Sequence, residues 1–337
     1  MIVYYIANLF LFPVGYGYKK SNSQLRLLIL FLLSTVYSLF FGLRYQVGVD
    51  WKNYITAFEF YNSNQDYFSL EVGYKILNII SYNLGYDIQF IIIITTLIVF
   101  FLSFYSLYFI KINPCYYIGV VFPYFIVMGA MNYTRQGVAL SFFLLALSFL
   151  FNNKRVLFVI FLLFGCTFHV SLIIFLPLLF YRMKKSYLIS IFLVLAIPFI
   201  LLVNFQYSMY IQADFDSKGL LLRSAFVILS SVVLFLNRRV WDNSKYSNIY
   251  YVSMLSPVFV FTVSIVSTTM ADRISYYFIL LSALCCFLLC QFNGIHFKKY
   301  IVPLLFICSL TVFIIWSNFS SYIPYYEFKS QVFSGIL

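Results

Sequence analysis

Residues 88–110 read IQFIIIITTLIVFFLSFYSLYFI and contain no charged side chain. A transmembrane helix needs about 20 mostly apolar residues, so this stretch alone predicts a membrane span. Of the 337 residues of the chain, 63% are hydrophobic and only 9% are charged. Soluble domains are roughly half apolar and about a quarter charged. The composition therefore predicts an all-α polytopic membrane protein and excludes a soluble enzyme.

Similar apolar stretches recur along the chain, which we interpret as a single integral membrane domain, 1–337, with about twelve transmembrane helices. Ten spans are predicted near 1–17, 25–43, 88–110, 115–131, 136–151, 186–205, 220–236, 249–267, 274–292 and 300–319. The remaining apolar run, 156–181, has small and polar residues in its middle, His169 among them. We interpret this run as a short helical hairpin.

The basic residues indicate the orientation of the chain in the cytoplasmic membrane. They form short clusters between the apolar runs, and such clusters stay in the cytoplasm. The hairpin at 156–181 keeps the clusters on both of its sides in the cytoplasm and places His169 at the outer rim. The net charge of +12 is thus explained by orientation, and we expect no nucleic-acid partner.

The one sizeable hydrophilic stretch, 44–87, is predicted to be an external loop. Within it, the apolar residues of 70–84 recur at helical spacing, which predicts a helix lying in the outer membrane interface. The predicted cytoplasmic loops are too short to form a domain, and the chain has no P-loop or GxGxxG motif. These features disfavour reactions driven by ATP or nucleotide sugars in the cytoplasm.

The sequence indicates no metal or other cofactor. The six cysteines lie in apolar segments and form no CxxC pair, which favours core packing. The two histidines, His169 and His296, are predicted on opposite sides of the membrane. Asp214-Phe215-Asp216 matches the DxD pattern of metal-bound nucleotide sugars, but this spacing is common by chance and the loop is predicted to be external.

Four groups of polar residues near the outer boundary could carry chemistry, since charges at a membrane boundary are costly and usually face a cavity or a partner. Arg44 could clamp a phosphate and Asp50 could act on a hydroxyl, or the two could mark an ordinary polar helix exit. Arg135 begins a span next to amide side chains, which suits an anion site at a helix N-terminus. It could equally be an interfacial arginine that extends to the headgroups.

Each of the other two groups also has a functional and a purely structural interpretation. His169, at the tip of a broken helix pair, could act as a general base or a proton relay, or could be a satisfied polar group. Asp272-Arg273 opens another span, with Tyr277 one turn on, and could contact a substrate or form a local ion pair. The aromatic residues near the outer side suit both an interfacial belt and a carbohydrate site.

At these residues the sequence resembles the EpsG family of bacterial exopolysaccharide and O-antigen (Wzy-type) polymerases. The resemblance covers nearly the whole chain, with short motifs in the family's order. The matching motifs are Arg44…Gly48-Val49-Asp50…Tyr54, Leu70-Glu71-Val72-Gly73-Tyr74…Leu77-Asn78, Arg135-Gln136-Gly137-Val138-Ala139, Phe168-His169…Leu176-Pro177 and Asp272-Arg273…Tyr277-Phe278. Val49 stands where the family often has Thr, and Asp272 where it often has Glu.

The resemblance implies a glycosyltransferase that needs no metal and acts at the outer leaflet. Its partners would be oligosaccharide repeat units linked to undecaprenyl diphosphate, membrane lipids, a flippase and a chain-length regulator. The growing glycan would be transferred from its lipid diphosphate to the next lipid-linked unit.

The resemblance also implies roles for individual residues. Arg135 would stabilise the leaving diphosphate, and either Asp50 or His169 would take the proton of the attacking hydroxyl. The substrate-binding set that it implies is Arg44, Tyr54, Glu71, Gln136, Asp272, Arg273 and Tyr277.

Three other classes of protein are alternatives to a polymerase. An O-antigen ligase shares nearly the same donor chemistry. A lipid-linked oligosaccharide flippase or other transporter would place charges at mid-membrane, often with two related halves. A membrane acyltransferase would need a histidine near a cytoplasmic thioester, whereas His169 is predicted on the outer side.

Overall fold

The structure, a computed structural model, describes residues 1–184, 187, 217, 219–295, 297–330 and 332. These residues form helices, turns and loops, with no strand among them. The predicted all-α class is therefore confirmed over this part of the chain. The predicted span at 186–205, the pair Asp214 and Asp216, and His296 lie outside the described residues.

The chain divides into two compact units. The first unit comprises residues 1–170 and 317–337, and the second comprises residues 171–316. The helices of the first unit are α1 (Ile2–Lys20), α2 (Ser23–Gly42), α3 (Trp51–Ser63), α4 (Val72–Asn83), α5 (Ile88–Phe109), α6 (Pro114–Phe122), a π-helix (Pro123–Ala130), α7 (Thr134–Phe151), α8 (Arg155–Cys166) and a 3₁₀ turn (Ile323–Tyr326).

A 3₁₀ helix, Val170–Phe180, begins where the first unit ends and belongs mainly to the second. The other helices of the second unit are α9 (Leu220–Leu236), α10 (Arg238–Trp241), α11 (Ser247–Met254), α12 (Ser256–Val266), α13 (Thr268–Leu289) and α14 (Lys298–Phe319), of which residues 317–319 belong to the first unit. The single integral membrane domain and the orientation inferred from the basic residues stay predictions.

Five helices are long and apolar enough to cross a membrane, or six if one bent pair is counted as a span. The five are α2, α5, α7, α13 and α14, and several shorter apolar helices accompany them. This is consistent with a multi-pass membrane protein. About twelve membrane helices, the number predicted from a window of about 20 apolar residues, is not confirmed.

Two predicted spans are interrupted, which is one reason for the lower number. The run 115–131 changes from α-helix to π-helix at Pro123, because proline cannot donate the next helical hydrogen bond. The run 249–267 bends by 45° between α11 and α12, just before Pro257. A count of apolar residues cannot distinguish a broken helix from a continuous one.

The apolar run 156–181 is broken where its small and polar residues fall. Helix α8 ends at Cys166, and the 3₁₀ helix begins at Val170. With 12 residues, α8 is about 18 Å long at 1.5 Å per residue, which is shorter than the hydrocarbon core of a bilayer. The break places His169 between two short helices, as predicted, while the fold-back of the two halves within the membrane stays a prediction.

The loop 44–87 is more ordered than its sequence suggests. Helix α4, Val72–Asn83, confirms the helix predicted at 70–84, and α3, Trp51–Ser63, was not predicted. The C-terminal tail packs against the start of this loop within the first unit. The amide of Tyr45 donates to the carbonyl of Lys329 and that of Gly48 to the carbonyl of Tyr325, both at 2.8 Å.

Each unit has one helix that is buried almost throughout, α7 in the first and α13 in the second. Helix α7 packs between α5 and α8, and α13 packs against α9 and α12. Arg135 is the second residue of α7, and Asp272 lies in the second turn of α13. This buried helix of each unit therefore carries one of the charged groups singled out in the sequence.

Candidate active site

A buried carboxylate joins two of the predicted catalytic residues. Glu71 Oε2 lies 2.5 Å from Arg135 Nη1, and Glu71 Oε1 lies 2.9 Å from His169 Nδ1. We call these three residues the Glu71 cluster. Glu71 is 1% exposed and His169 4%, whereas 37% of the Arg135 side chain is exposed. Arg135 is thus the member of the cluster that an anionic ligand can reach.

The contact between Glu71 and Arg135 determines which ring nitrogen of His169 carries the proton. A carboxylate paired with a guanidinium is ionised and can only accept hydrogen bonds. The Nδ1 of His169 must therefore carry the proton that it shares with Glu71, and in the neutral ring the lone pair is on Nε2. This arrangement orients the ring and gives Nε2 the character of a base.

The local sequence explains why Glu71 reaches this position. Glu71 directly precedes α4, and the amides of the second and third residues of that helix, Gly73 and Tyr74, donate to the carbonyl of Thr167 at 2.9 and 3.4 Å. A Cβ on residue 73 would collide with the side chain of Thr167. Glycine at 73 therefore lets α4 rest on the break that carries His169.

Two tyrosines pack beside the exposed cation of the cluster. The guanidinium of Arg135 lies 5.5 Å from the ring centroid of Tyr74 and 6.0 Å from that of Tyr54, a cation–π arrangement. Burial raises the pKa of Tyr74 well above its usual value, so its phenol stays protonated. Tyr54, predicted to bind substrate, is thus placed against Arg135.

Arg44, also predicted to bind substrate, supports the cluster from within the protein. It is 1% exposed, and its Nη1 donates to the carbonyl of Phe41 at 2.7 Å and to Thr96 Oγ1 at 3.1 Å. Its Nη2 donates to the carbonyl of Met131 at 3.4 Å. Burial lowers the pKa of Arg44 to about 10, so it stays charged at neutral pH. In this structure it fixes the residues that precede Arg135, and direct contact with a phosphate stays a prediction.

Asp50 is anchored to the same segment through its backbone. Asn132 Oδ1 accepts the amides of Val49 at 2.8 Å and of Asp50 at 3.3 Å. The carboxylate of Asp50 is partly exposed and accepts a hydrogen bond from Asn53 Nδ2 at 3.1 Å. Asp50 therefore lies beside the segment that leads into α7 and keeps an accessible carboxylate.

Gly48 enables this contact, which leads to a stability prediction. Its φ is +109°, and a Cβ there would lie 2.8 Å from the carbonyl oxygen of Met131. Gly48→Ala is expected to destabilise the protein by more than the ~1–3 kcal/mol of backbone strain alone, because the contact is added to it. Thermal unfolding in detergent measures the effect. The matched control is Gly85→Ala, where φ is +78° and nothing lies within 4 Å of the added atom. Equal losses in both variants would contradict the proposed close contact.

A second buried ion pair lies within the second unit. Arg223 Nε donates to Asp272 Oδ1, with side chains 9% and 5% exposed, and the guanidinium lies 5.5 Å from the ring centroid of Tyr276. Asp272 therefore pairs with an arginine of α9, which corrects the alternative of a local ion pair with Arg273. Arg273 itself is partly exposed.

The remaining predicted substrate-binding residues are buried. Tyr277 is inaccessible, and its hydroxyl accepts a hydrogen bond from Ser171 Oγ at 3.2 Å. Gln136 is 1% exposed. Direct contacts of either with a sugar or phosphate stay predictions.

The structure thus brings Arg44, Asp50, Tyr54, Glu71, Arg135 and His169 together in the first unit. The predicted participation of Asp272, Arg273 and Tyr277, which belong to the second unit, stays a prediction.

Two residues that hold predicted site residues in place, Arg223 and Asn132, differ in the signal that they leave in the sequence. Arg223 could have been found, because it is the lone charge in the apolar run 220–236 and such charges need a partner. The anchoring role of Asn132 had no comparable signal. No group of three or more His, Cys, Asp or Glu side chains that could hold a metal ion occurs among the residues that the structure describes.

Comparison with known proteins identifies the family. The sequence model of the EpsG family matches residues 27–330, nearly the whole chain. No curated protein and no solved structure matches the chain. The match includes every motif of the site described above. The chain therefore belongs to the EpsG family, which includes Wzy-type polymerases.

Proposed function

We propose that the protein is a polysaccharide polymerase of O-antigen or exopolysaccharide biosynthesis. It transfers a growing glycan from undecaprenyl diphosphate to the next lipid-linked repeat unit at the outer leaflet of the cytoplasmic membrane. Membership of the EpsG family supports a polymerase-like role. The strongest structural support for the proposal is the Glu71 cluster, in which one buried carboxylate holds an accessible guanidinium beside a histidine.

In this reaction the bond between the glycan and the diphosphate breaks, and its electron pair stays on the phosphate oxygen. Charge on the leaving group increases in the transition state, where fixed cations stabilise it most. Arg135 supplies that cation, and Glu71 with the rings of Tyr54 and Tyr74 fixes its direction. Preorganisation of this kind avoids rearranging the side chain during the reaction.

The new glycosidic bond forms from a hydroxyl of the incoming repeat unit, whose proton must be removed. Two groups are candidates for this step. Nε2 of His169 has the lone pair but is buried in this structure, whereas the carboxylate of Asp50 is partly exposed. Tyr54 is 5% exposed and Tyr74 is inaccessible, so both rings act on the reaction through Arg135, which they hold in place. We propose that no metal or other cofactor takes part, that a flippase supplies the repeat units, and that a chain-length regulator can act on the product.

Substitution of Arg135 tests the proposal. Arg135→Lys is expected to shorten the polysaccharide, because the charge remains but the planar fork and its stacking are lost. Arg135→Ala is expected to leave only single repeat units. The measurement is polymer length in a deletion strain complemented with each variant, with expression checked by immunoblot. Arg155→Ala, at the exposed start of α8, serves as the control. Long-chain polymer with Arg135→Ala would remove Arg135 from the mechanism.

The deletion strain itself distinguishes the polymerase from its closest rivals. In a strain that makes lipopolysaccharide, loss of a polymerase leaves core with one repeat unit, whereas loss of a ligase or flippase leaves bare core. A purified protein given synthetic lipid-linked repeat units would then establish the reaction directly. Bare core in the deletion strain would refute the polymerase assignment.

A further inference from the structure

A groove lies in the second unit where the end of α9 meets the start of α14. Its volume is about 470 Å³, within the range of ligand pockets. The lining is apolar or aromatic except for Asn237, and includes Leu236, Phe297, Tyr300 and Leu304. None of the lining residues belongs to the motifs shared with the family, so the proposed reaction leaves the groove without a role.

The groove exposes much apolar surface. Phe297 is 75% exposed, Leu236 62% and Tyr300 54%. Its deeper wall is formed by Val233 and Ile301, which are 6% and 3% exposed. The floor of the groove is thus apolar and buried, and its edges are apolar and exposed. An acyl chain lying in the groove would remove this apolar surface from water.

Basic residues flank the mouth of the groove. Lys299 Nζ lies 4.9 Å from the ring centroid of Tyr300, which lines the groove, and Lys298 Nζ donates to the carbonyl of Phe292 at 3.0 Å. Arg239, in α10, follows two residues after the lining residue Asn237 and is exposed. The nearby acid, Asp242, lies 3.9 Å from Arg238 in an exposed pair. The rim is therefore positively charged.

The backbone at the mouth is strained. Phe297 has a φ of +57°, a conformation that bulky residues rarely adopt. Such strain persists where the surrounding structure enforces it, and ligand clamps are a common location. Here the strained residue is Phe297 itself, whose aromatic side chain is exposed at the edge of the groove.

We propose that the groove binds an anionic glycerophospholipid, with one acyl chain against Leu236 and Leu304 and the phosphate between Arg239 and Lys299. Basic sites between membrane helices on the cytoplasmic side bind acidic headgroups, and the basic clusters predict that side for this end of the unit. Bulk membrane lipid, and not the polyprenyl substrate, is the occupant. This inference does not depend on the proposed function.

Native mass spectrometry of the full-length protein, exchanged into detergent with phosphatidylglycerol or with phosphatidylcholine of the same acyl chains, tests the proposal. We expect phosphatidylglycerol to be retained preferentially. The double variant Arg239→Gln/Lys299→Gln is expected to weaken that retention about tenfold, because headgroup attraction depends on the basic residues. A second variant, Leu304→Trp, fills the groove and is expected to reduce retention while leaving the rim charge intact.

The matched control is Lys19→Gln/Lys20→Gln at the end of α1. This pair is exposed, is predicted on the same side of the membrane, and includes a lysine 4.3 Å from the ring centroid of Tyr16. The control should retain phosphatidylglycerol like the unmodified protein. Equal retention of both lipids, an equal loss in the control, or displacement of phosphatidylglycerol by equimolar undecaprenyl phosphate would each overturn the proposal.

Discussion

Glu71→Gln is expected to abolish long-chain polysaccharide in cells, with a loss of transfer rate of about 10²–10³-fold. The substitution keeps the size of the side chain and removes its charge. If the amide oxygen still accepts from Arg135, its NH₂ group faces Nδ1 of His169. The histidine must then accept at Nδ1 and carry its proton on Nε2, so the proposed base loses its lone pair. Polymer length in a complemented deletion strain, with protein level measured in parallel, gives the result.

Two companion variants make the experiment specific. Glu71→Asp keeps the charge but is too short to hold Arg135 and His169 in their present positions, so shortened polymer is expected. Glu59→Gln makes the same chemical change at an exposed site on α3 and should leave the polymer unchanged. If Glu71→Gln accumulates normally in the membrane and makes wild-type polymer, the Glu71 cluster is not the reaction centre.

The members of the Glu71 cluster can be predicted from the sequence, but the contacts that join them cannot. Glu71 is 64 residues from Arg135 and 98 from His169 along the chain, and no local pattern encodes such a pairing. The family motifs placed Glu71 among the substrate-binding residues. The structure instead makes it a buried acceptor that serves the two groups beside it, so its proposed role is to position them.

The contacts of Arg44 are likewise not encoded by any local pattern in the sequence. The location of Arg44 just after an apolar span indicated either a clamp for a phosphate or an ordinary polar helix exit. The structure satisfies it with the carbonyls of Phe41 and Met131. The Met131 carbonyl follows directly after the π-helix Pro123–Ala130, and an apolar run does not reveal that helix type. Helix positions, by contrast, follow from apolar length and were predicted well for α2, α5 and α14.

Arg223→Met is expected to destabilise the second unit strongly, by ~3–5 kcal/mol, because it leaves the carboxylate of Asp272 buried without its guanidinium. Both side chains are at least nine-tenths buried. Asp272→Leu is expected to destabilise the second unit by a similar amount, because it leaves the guanidinium of Arg223 buried without its carboxylate. The double variant Arg223→Met/Asp272→Leu removes both charges and should recover much of the loss, as replacement of buried ion pairs by apolar side chains often does. Unfolding by titration with a denaturing detergent, analysed as a double-mutant cycle, measures the coupling.

An exposed ion pair in the same unit provides the comparison. Arg238 and Asp242 have side chains 51% and 34% exposed and lie 3.9 Å apart. Breaking an exposed pair of this kind changes stability by ~0–1 kcal/mol, so Arg238→Met and Asp242→Leu should be nearly neutral. If the Arg223 and Asp272 variants behave like this control, water reaches the inner pair. The two charges would then be available to ligands, and a substrate-binding role for Asp272 would gain support over a structural one.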